Sequence, residues 1–198
     1  MKIDLPQHPI TWLFVGDSIT HGWRHTDGAR SYVEHVNETL RHETGRARDV
    51  LVNTGVSGAR VGDLLEGFDF YAARFRPDVV FVLLGTNDST DGLDGLAEYS
   101  RGLTEIVDRF VDGGAQVVLQ VPPPLREAPS RREHVAEYRD VVRELARSRG
   151  LLLVDHDRDW TDAPPAGGVD ALLNDDIHPN AAGHRRMADA VLAALGIS

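Results

Sequence analysis

The chain has 198 residues, no cysteine and a formal net charge of −10, from 31 acidic and 21 basic side chains. That length fits a single domain, residues 1–198, with a real core, and the lack of cysteine excludes disulfides, thiolate metal sites and cysteine nucleophiles. No cluster of Lys or Arg offsets the acidic excess, which argues against nucleic acid or an anionic membrane surface as a partner.

The start, Met1-Lys2-Ile3-Asp4-Leu5-Pro6, lacks the apolar core of a signal peptide, and no apolar run reaches the length of a membrane span. A soluble cytoplasmic protein without membrane insertion is expected. The first predicted strand is 10–16, ending in the turn Gly16-Asp17-Ser18-Ile19-Thr20. A helix follows, opened by the capping box Ser31/Glu34, with Tyr32, Val33, Val36 and Leu40 on one face and Gly45 as its stop. Strands are predicted at 49–54 and 78–84. The segment 94–112 then carries Leu96, Tyr99, Leu103, Ile106, Val107 and Phe110 at helical spacing and stops at Gly113-Gly114. After a strand at 115–121, a second capping box, Ser130/Glu133, introduces a helix with Val135, Tyr138, Val142 and Leu145 that ends at Gly150. The last strand is 151–154. The stretch 155–177, holding Pro164-Pro165 and Gly167-Gly168, reads as the longest irregular segment. The final helix starts at Asn180 and buries Met187, Val191 and Leu195.

The strands are Val/Leu-rich and nearly continuous, as parallel strands covered on both faces should be. The alternating order implies right-handed crossovers. The expected fold is α/β: a three-layer α/β/α sandwich with a five-stranded parallel sheet in the flavodoxin-like order 2-1-3-4-5.

Chemistry-bearing residues gather where these strands end. They are Gly16-Asp17-Ser18, Asn53-Thr54-Gly55-Val56-Ser57-Gly58, Gly85-Thr86-Asn87-Asp88 and, before the last helix, Asp175-Asp176-Ile177-His178-Pro179. A parallel sheet brings its carboxyl ends to one edge, so these stretches converge. Serine alone is a poor nucleophile and needs a base, an orienting acid and an oxyanion site.

This set of four stretches, in this order and spanning residue 10 to the final helix, resembles the SGNH hydrolases, also called the GDSL-type esterase/lipase family. The resemblance implies Ser18 as nucleophile, His178 as general base and Asp175 as its orienting acid. It also implies an oxyanion site made of the Ser18 N–H, the Gly58 N–H (with Gly55 as the alternative) and the Asn87 amide. The departure from the family pattern is Ile19, where the family name has leucine. The resemblance further implies a serine esterase that passes through an acyl-enzyme, with no cofactor and no metal, acting on a small-molecule ester. Short acyl groups such as acetyl on a sugar or small metabolite are favoured. A lysophospholipase or thioesterase of the same fold is the alternative, and the residues do not reveal an oligomeric state.

Other readings use the same residues. Gly55-Val56-Ser57-Gly58-Ala59 approximates a G-x-S-x-G elbow with Ser57 as nucleophile, but fails at its last position. Asp17, Asp63, Asn87 and His178 have the residue types of a metal-dependent phosphoesterase, although Asp63 falls on a predicted helix. A binding module on the same sheet would lack catalysis altogether; no phosphate-binding glycine pattern supports it. Asp17 is expected to brace its turn, Asp88 to cap a helix, and Asp176 to lie out of register with His178. His21, His25 and His156 fall near loop ends, where they line the cleft or stay solvated, and His35, His42 and His134 look like surface positions. Trp23, Trp160 and Pro122-Pro123-Pro124 are pocket or structural residues.

Overall fold

The computed structural model describes residues 3–23, 26–126 and 132–197. Five strands, β1 (Thr11–Gly16), β2 (Val50–Asn53), β3 (Val79–Leu83), β4 (Gln116–Val121) and β5 (Leu152–Asp155), pair in parallel in the order 2-1-3-4-5. Every β3 residue and nearly every residue of β1 and β4 is buried, whereas the edge strand β2 leaves Val50 exposed. That difference follows from position, since central strands are covered on both faces.

The helices are α1 (Ser18–His21), α2 (Tyr32–Glu43), α3 (Val61–Glu66), α4 (Phe68–Tyr71), α5 (Leu96–Asp112), α6 (Val135–Arg149), α7 (His156–Asp162) and α8 (Ala181–Leu195). Successive β1 side chains serve opposite cores. Trp12 and Phe14 join α2 and α8 residues such as Tyr32, Val36, Met187 and Val191. Leu13 and Val15 join α3, α5 and α6 residues such as Leu64, Leu103, Phe110 and Val142. This two-residue alternation makes three layers from one continuous apolar run.

Helix ends follow their local signals. Ser31 Oγ accepts from Glu34 N at 3.3 Å while Glu34 accepts from Ser31 N at 2.7 Å, a reciprocal capping box. Asn180 Oδ1 accepts from Ala182 N and Gly183 N at the start of α8. Gly150 and Gly196 close α6 and α8 in the left-handed region. Ser130, expected to open the helix that ends at Gly150, lies outside the described residues; α6 starts at Val135 after His134.

The stretch 155–177 is not irregular throughout, because 156–162 forms α7 and 169–172 a 3₁₀ turn. Asp155 caps α7 through Arg158 N at 3.1 Å, and the buried side chains are His156 and Trp160, one turn apart.

Candidate active site

Ser18 is the first residue of α1, which begins where β1 ends. A Cβ at Gly16 would lie 2.3 Å from Thr20 Oγ1 and 2.6 Å from Leu83 O, so the turn admits only glycine. Asp17 Oδ1 accepts from Ile19 N at 2.9 Å and caps α1. Burial pushes the Asp17 carboxyl up to about 7 against the pull of that N–H; the Asp88 carboxylate adds to the rise and Arg132 opposes it. Asp17 thus braces the turn.

Ser18 Oγ lies 2.8 Å from His178 Nε2 although 160 residues separate them. His178 Nδ1 lies 2.8 Å from Asp175 Oδ2 and 3.0 Å from Oδ1. Asp175 Oδ1 also accepts from the N–H groups of Ile177 and His178, each at 2.8 Å. Burial works to raise the Asp175 carboxyl, but these hydrogen bonds outweigh it and hold the carboxyl below the usual range. An ionised carboxylate only accepts, so it selects the Nδ1–H tautomer and leaves Nε2 to accept from Ser18. The loop is closed at its neck by the antiparallel bridge Leu173–Pro179, with Asn174 N donating to His178 O and Asn180 N to Leu172 O. Asp176 points elsewhere, toward Arg126 at 3.6 Å.

The stretch after β2 lies against the same corner. Val56 N donates to Gly16 O at 2.9 Å, tying it to the end of β1. Gly55 and Gly58 now separate. A Cβ on Gly55 would sit 2.5 Å from His21 N, and its N–H donates to Asn53 Oδ1, so Gly55 is a packing glycine. Gly58 has φ +86, open space where a Cβ would project, and an N–H with no partner among the described residues. Asn87 Nδ2 donates to Ala59 O at 3.1 Å, and Asp88 Oδ1 accepts from Val61 N at 2.9 Å. Asn87 and Asp88 therefore grip the same turn just beyond Gly58. Asp88 does cap a helix, but it is α3, not the turn that follows it in sequence. Burial raises its carboxyl.

Other sequence candidates separate from this cluster. Ser57 is exposed and its Oγ lies 3.1 Å from His21 Nδ1, with no carboxylate bonded to that imidazole among the described residues. Asp63 is on α3 and accepts from Arg60 N. Among the described residues no group of three His, Asp or Glu is arranged to hold a metal ion. His156 is fully buried rather than solvated, with Nε2 3.0 Å from Gln120 Oε1, and burial lowers it to about 4. His35 is half-buried rather than superficial. Trp160 is core, Trp23 is exposed, and the carbonyls of Pro122 and Pro123 accept from Arg139. His25 lies outside the described residues. The His21–Ser57 contact was missed in the sequence, although the three-residue step from Ser18 to His21 places both on one side of a helical turn.

A cleft of about 530 Å³, within the range of small-molecule sites, adjoins the cluster through Gly16 and Gly58. Leu64 and Leu84 form apolar wall, and Asp63 and Glu66 add carboxylates. Among the described residues no helix is long and apolar enough to cross a membrane.

Residues 14–186 match the model of the GDSL-like Lipase/Acylhydrolase family. An acetylxylan esterase of Geobacillus stearothermophilus is 28% identical, over 93% of this chain and 93% of its own. An uncharacterized protein of Mycoplasma pneumoniae is 36% identical over 49% of this chain, which spans only 11% of that protein's length. A crystal structure described as that of a GDSL-like lipase from Parabacteroides merdae superposes with a TM-score of 0.87 at 26% identity, covering 100% of both chains.

Proposed function

The chain belongs to the GDSL-like lipase/acylhydrolase family, and from that premise we propose that it is a serine esterase releasing short acyl groups, such as acetyl, from a sugar or small metabolite. The observation that carries this reading is the continuous relay from Ser18 Oγ to His178 Nε2, and from His178 Nδ1 to Asp175, each step 2.8 Å.

The relay supports a two-step acyl transfer. Ser18 Oγ attacks the ester carbonyl carbon as its proton passes to His178 Nε2. The carbonyl π electrons move to oxygen, giving an oxyanion. The N–H groups of Ser18 and Gly58 and the Asn87 amide stabilise that charge. As first residue of α1, Ser18 has an N–H with no intrahelical acceptor, and Asn87 has a second amide hydrogen beyond the one given to Ala59 O. Each such donor is worth roughly 2.7–4 kcal/mol of transition-state stabilisation. The oxyanion re-forms the carbonyl, the ester C–O bond breaks, and His178 hands its proton to the leaving alkoxide. Water then attacks the acyl-Ser18 ester with His178 again accepting a proton. The acid departs and Ser18 regains its hydrogen.

The acetylxylan esterase relative supports an acetylated sugar as the substrate. The charge of −10 and the carboxylates in the cleft weigh against anionic lipid headgroups. The alternative of lysophospholipid or thioester cleavage shares the same relay. The test is covalent labelling with a fluorophosphonate. Ser18→Ala is expected to lose labelling and turnover of a short-chain acetyl ester with its circular dichroism intact, while Ser57→Ala still labels. Labelling that follows Ser57, or a folded wild-type protein that never labels, would overturn the reading.

A further inference from the structure

Trp12 and Trp160 are fully buried, whereas Trp23 is 71% exposed. An indole left in water forgoes the burial that makes tryptophan a core residue, and this one lies five positions from Ser18. It follows Gly22, the left-handed residue that ends α1, where a Cβ would lie 2.3 Å from Ser31 Cβ. The turn that projects the indole is therefore pinned.

The indole is also braced from beside the active centre. Its ring stacks on His21, centroids 5.9 Å apart and planes 20° from parallel. His21 ends the helix that Ser18 begins, and Ser57 Oγ holds its Nδ1 at 3.1 Å. Ser57 precedes Gly58 and lines the cleft. One set of contacts thus links the Ser18 helix, the Gly58 loop and an aromatic surface open to solvent.

That surface has a definite chemistry. An aromatic face is apolar and carries a negative quadrupole. The C–H face of a pyranose is flat, apolar and weakly positive, and its hydroxyls stay in water around the rim. A phosphate or carboxylate would instead be repelled by a chain of net charge −10. We propose that Trp23, braced by His21, is the stacking platform for a neutral pyranose ring in the alcohol half of the ester whose acyl carbon reaches Ser18. The proposal rests on the esterase reading above and assigns a ring-binding surface to it.

Fluorescence isolates the platform from catalysis. Because Trp12 and Trp160 are buried, acrylamide quenching reports chiefly on Trp23. Xylotriose, which carries no ester, is expected to shield the wild-type protein from acrylamide; unchanged quenching at saturating sugar would overturn the platform. In kinetics, Trp23→Ala is expected to lower the ratio of kcat/KM for acetylated xylotriose to that for ethyl acetate by about tenfold, through KM. Trp23→Phe, which keeps an aromatic face, should recover most of that ratio. An unchanged ratio, or a loss confined to phenyl acetate, would overturn the sugar assignment. Shielding by xylotriose in a protein that hydrolyses neither ester would sink the esterase reading and leave the platform standing.

Discussion

Asp17 stands directly before the proposed nucleophile, yet its chemistry is structural. It is a buried carboxyl that caps α1 and titrates at about 7 instead of 3.8, raised chiefly by burial. An acid with a raised folded pKa binds its proton better folded than unfolded. Its favourable contribution is therefore complete below about 3.8 and is lost as pH rises through about 7. Asp17→Asn keeps an oxygen for Ile19 N and removes the titration. The variant is expected to gain on the wild type by a few kcal/mol at most between pH 4 and 8, read from urea midpoints across that range. Equal pH slopes in the two proteins would show that Asp17 ionises freely. Gly55 and Gly58, three positions apart, differ in what surrounds them. Both stand as candidates for the oxyanion site, and only their neighbours separate a glycine wedged against α1 from one that faces open space.

Helix α3 depends on a glycine in another helix. A Cβ on Gly102 of α5 would sit 2.3 Å from Val61 Cγ1, and Val61 is the first residue of α3, whose N–H Asp88 holds. Gly102→Ala would push α3 outward, together with the turn after Gly58. The expected result is a loss of about 1–3 kcal/mol of stability in denaturant titration and a lower kcat for acetyl ester, with both defects arising from one displacement. Wild-type stability in this variant would mean that α3 yields without cost. Helix α7 marks the opposite limit of legibility. Its segment His156-Asp157-Arg158-Asp159-Trp160 has two buried side chains amid charges, too few for a helical period to stand out. Its support comes from elsewhere, through the Asp155 cap and the pairing of Arg186 on α8 with Asp159 at 2.8 Å.

On one face of the sheet, a buried polar chain joins α7 and β4 to α1 through α2. Thr20 Oγ1 meets Tyr32 Oη at 3.0 Å, Gln120 Nε2 donates to that Oη at 3.2 Å, and Gln120 Oε1 meets His156 Nε2 at 3.0 Å. It crosses from α7 through β4 and α2 to the helix that carries Ser18. Burial holds His156 at about 4, so it is neutral at ordinary pH. A base with a depressed folded pKa contributes stability above about 6.5 that is lost as pH falls through about 4. Gln120→Leu would strip His156 Nε2 of its partner and cost roughly 1–3 kcal/mol by thermal or urea unfolding. An unaltered midpoint would show that the chain contributes nothing net.

The amino-acid sequence was enough for the strands and most helix ends, because those follow from local rules: apolar runs for strands covered on both faces, caps and glycines for helices. It also singled out Ser18, Asn87, Asp175 and His178, since the chemistry concentrates in four short stretches at strand ends. Folding alone decided the meetings: Ser18 with His178 across 160 positions, Asp88 with Val61, His21 with Ser57, and the burial of His156. Hydrogen bonds and desolvation act over a few ångströms in space, and sequence separation carries no such distance until the crossovers close.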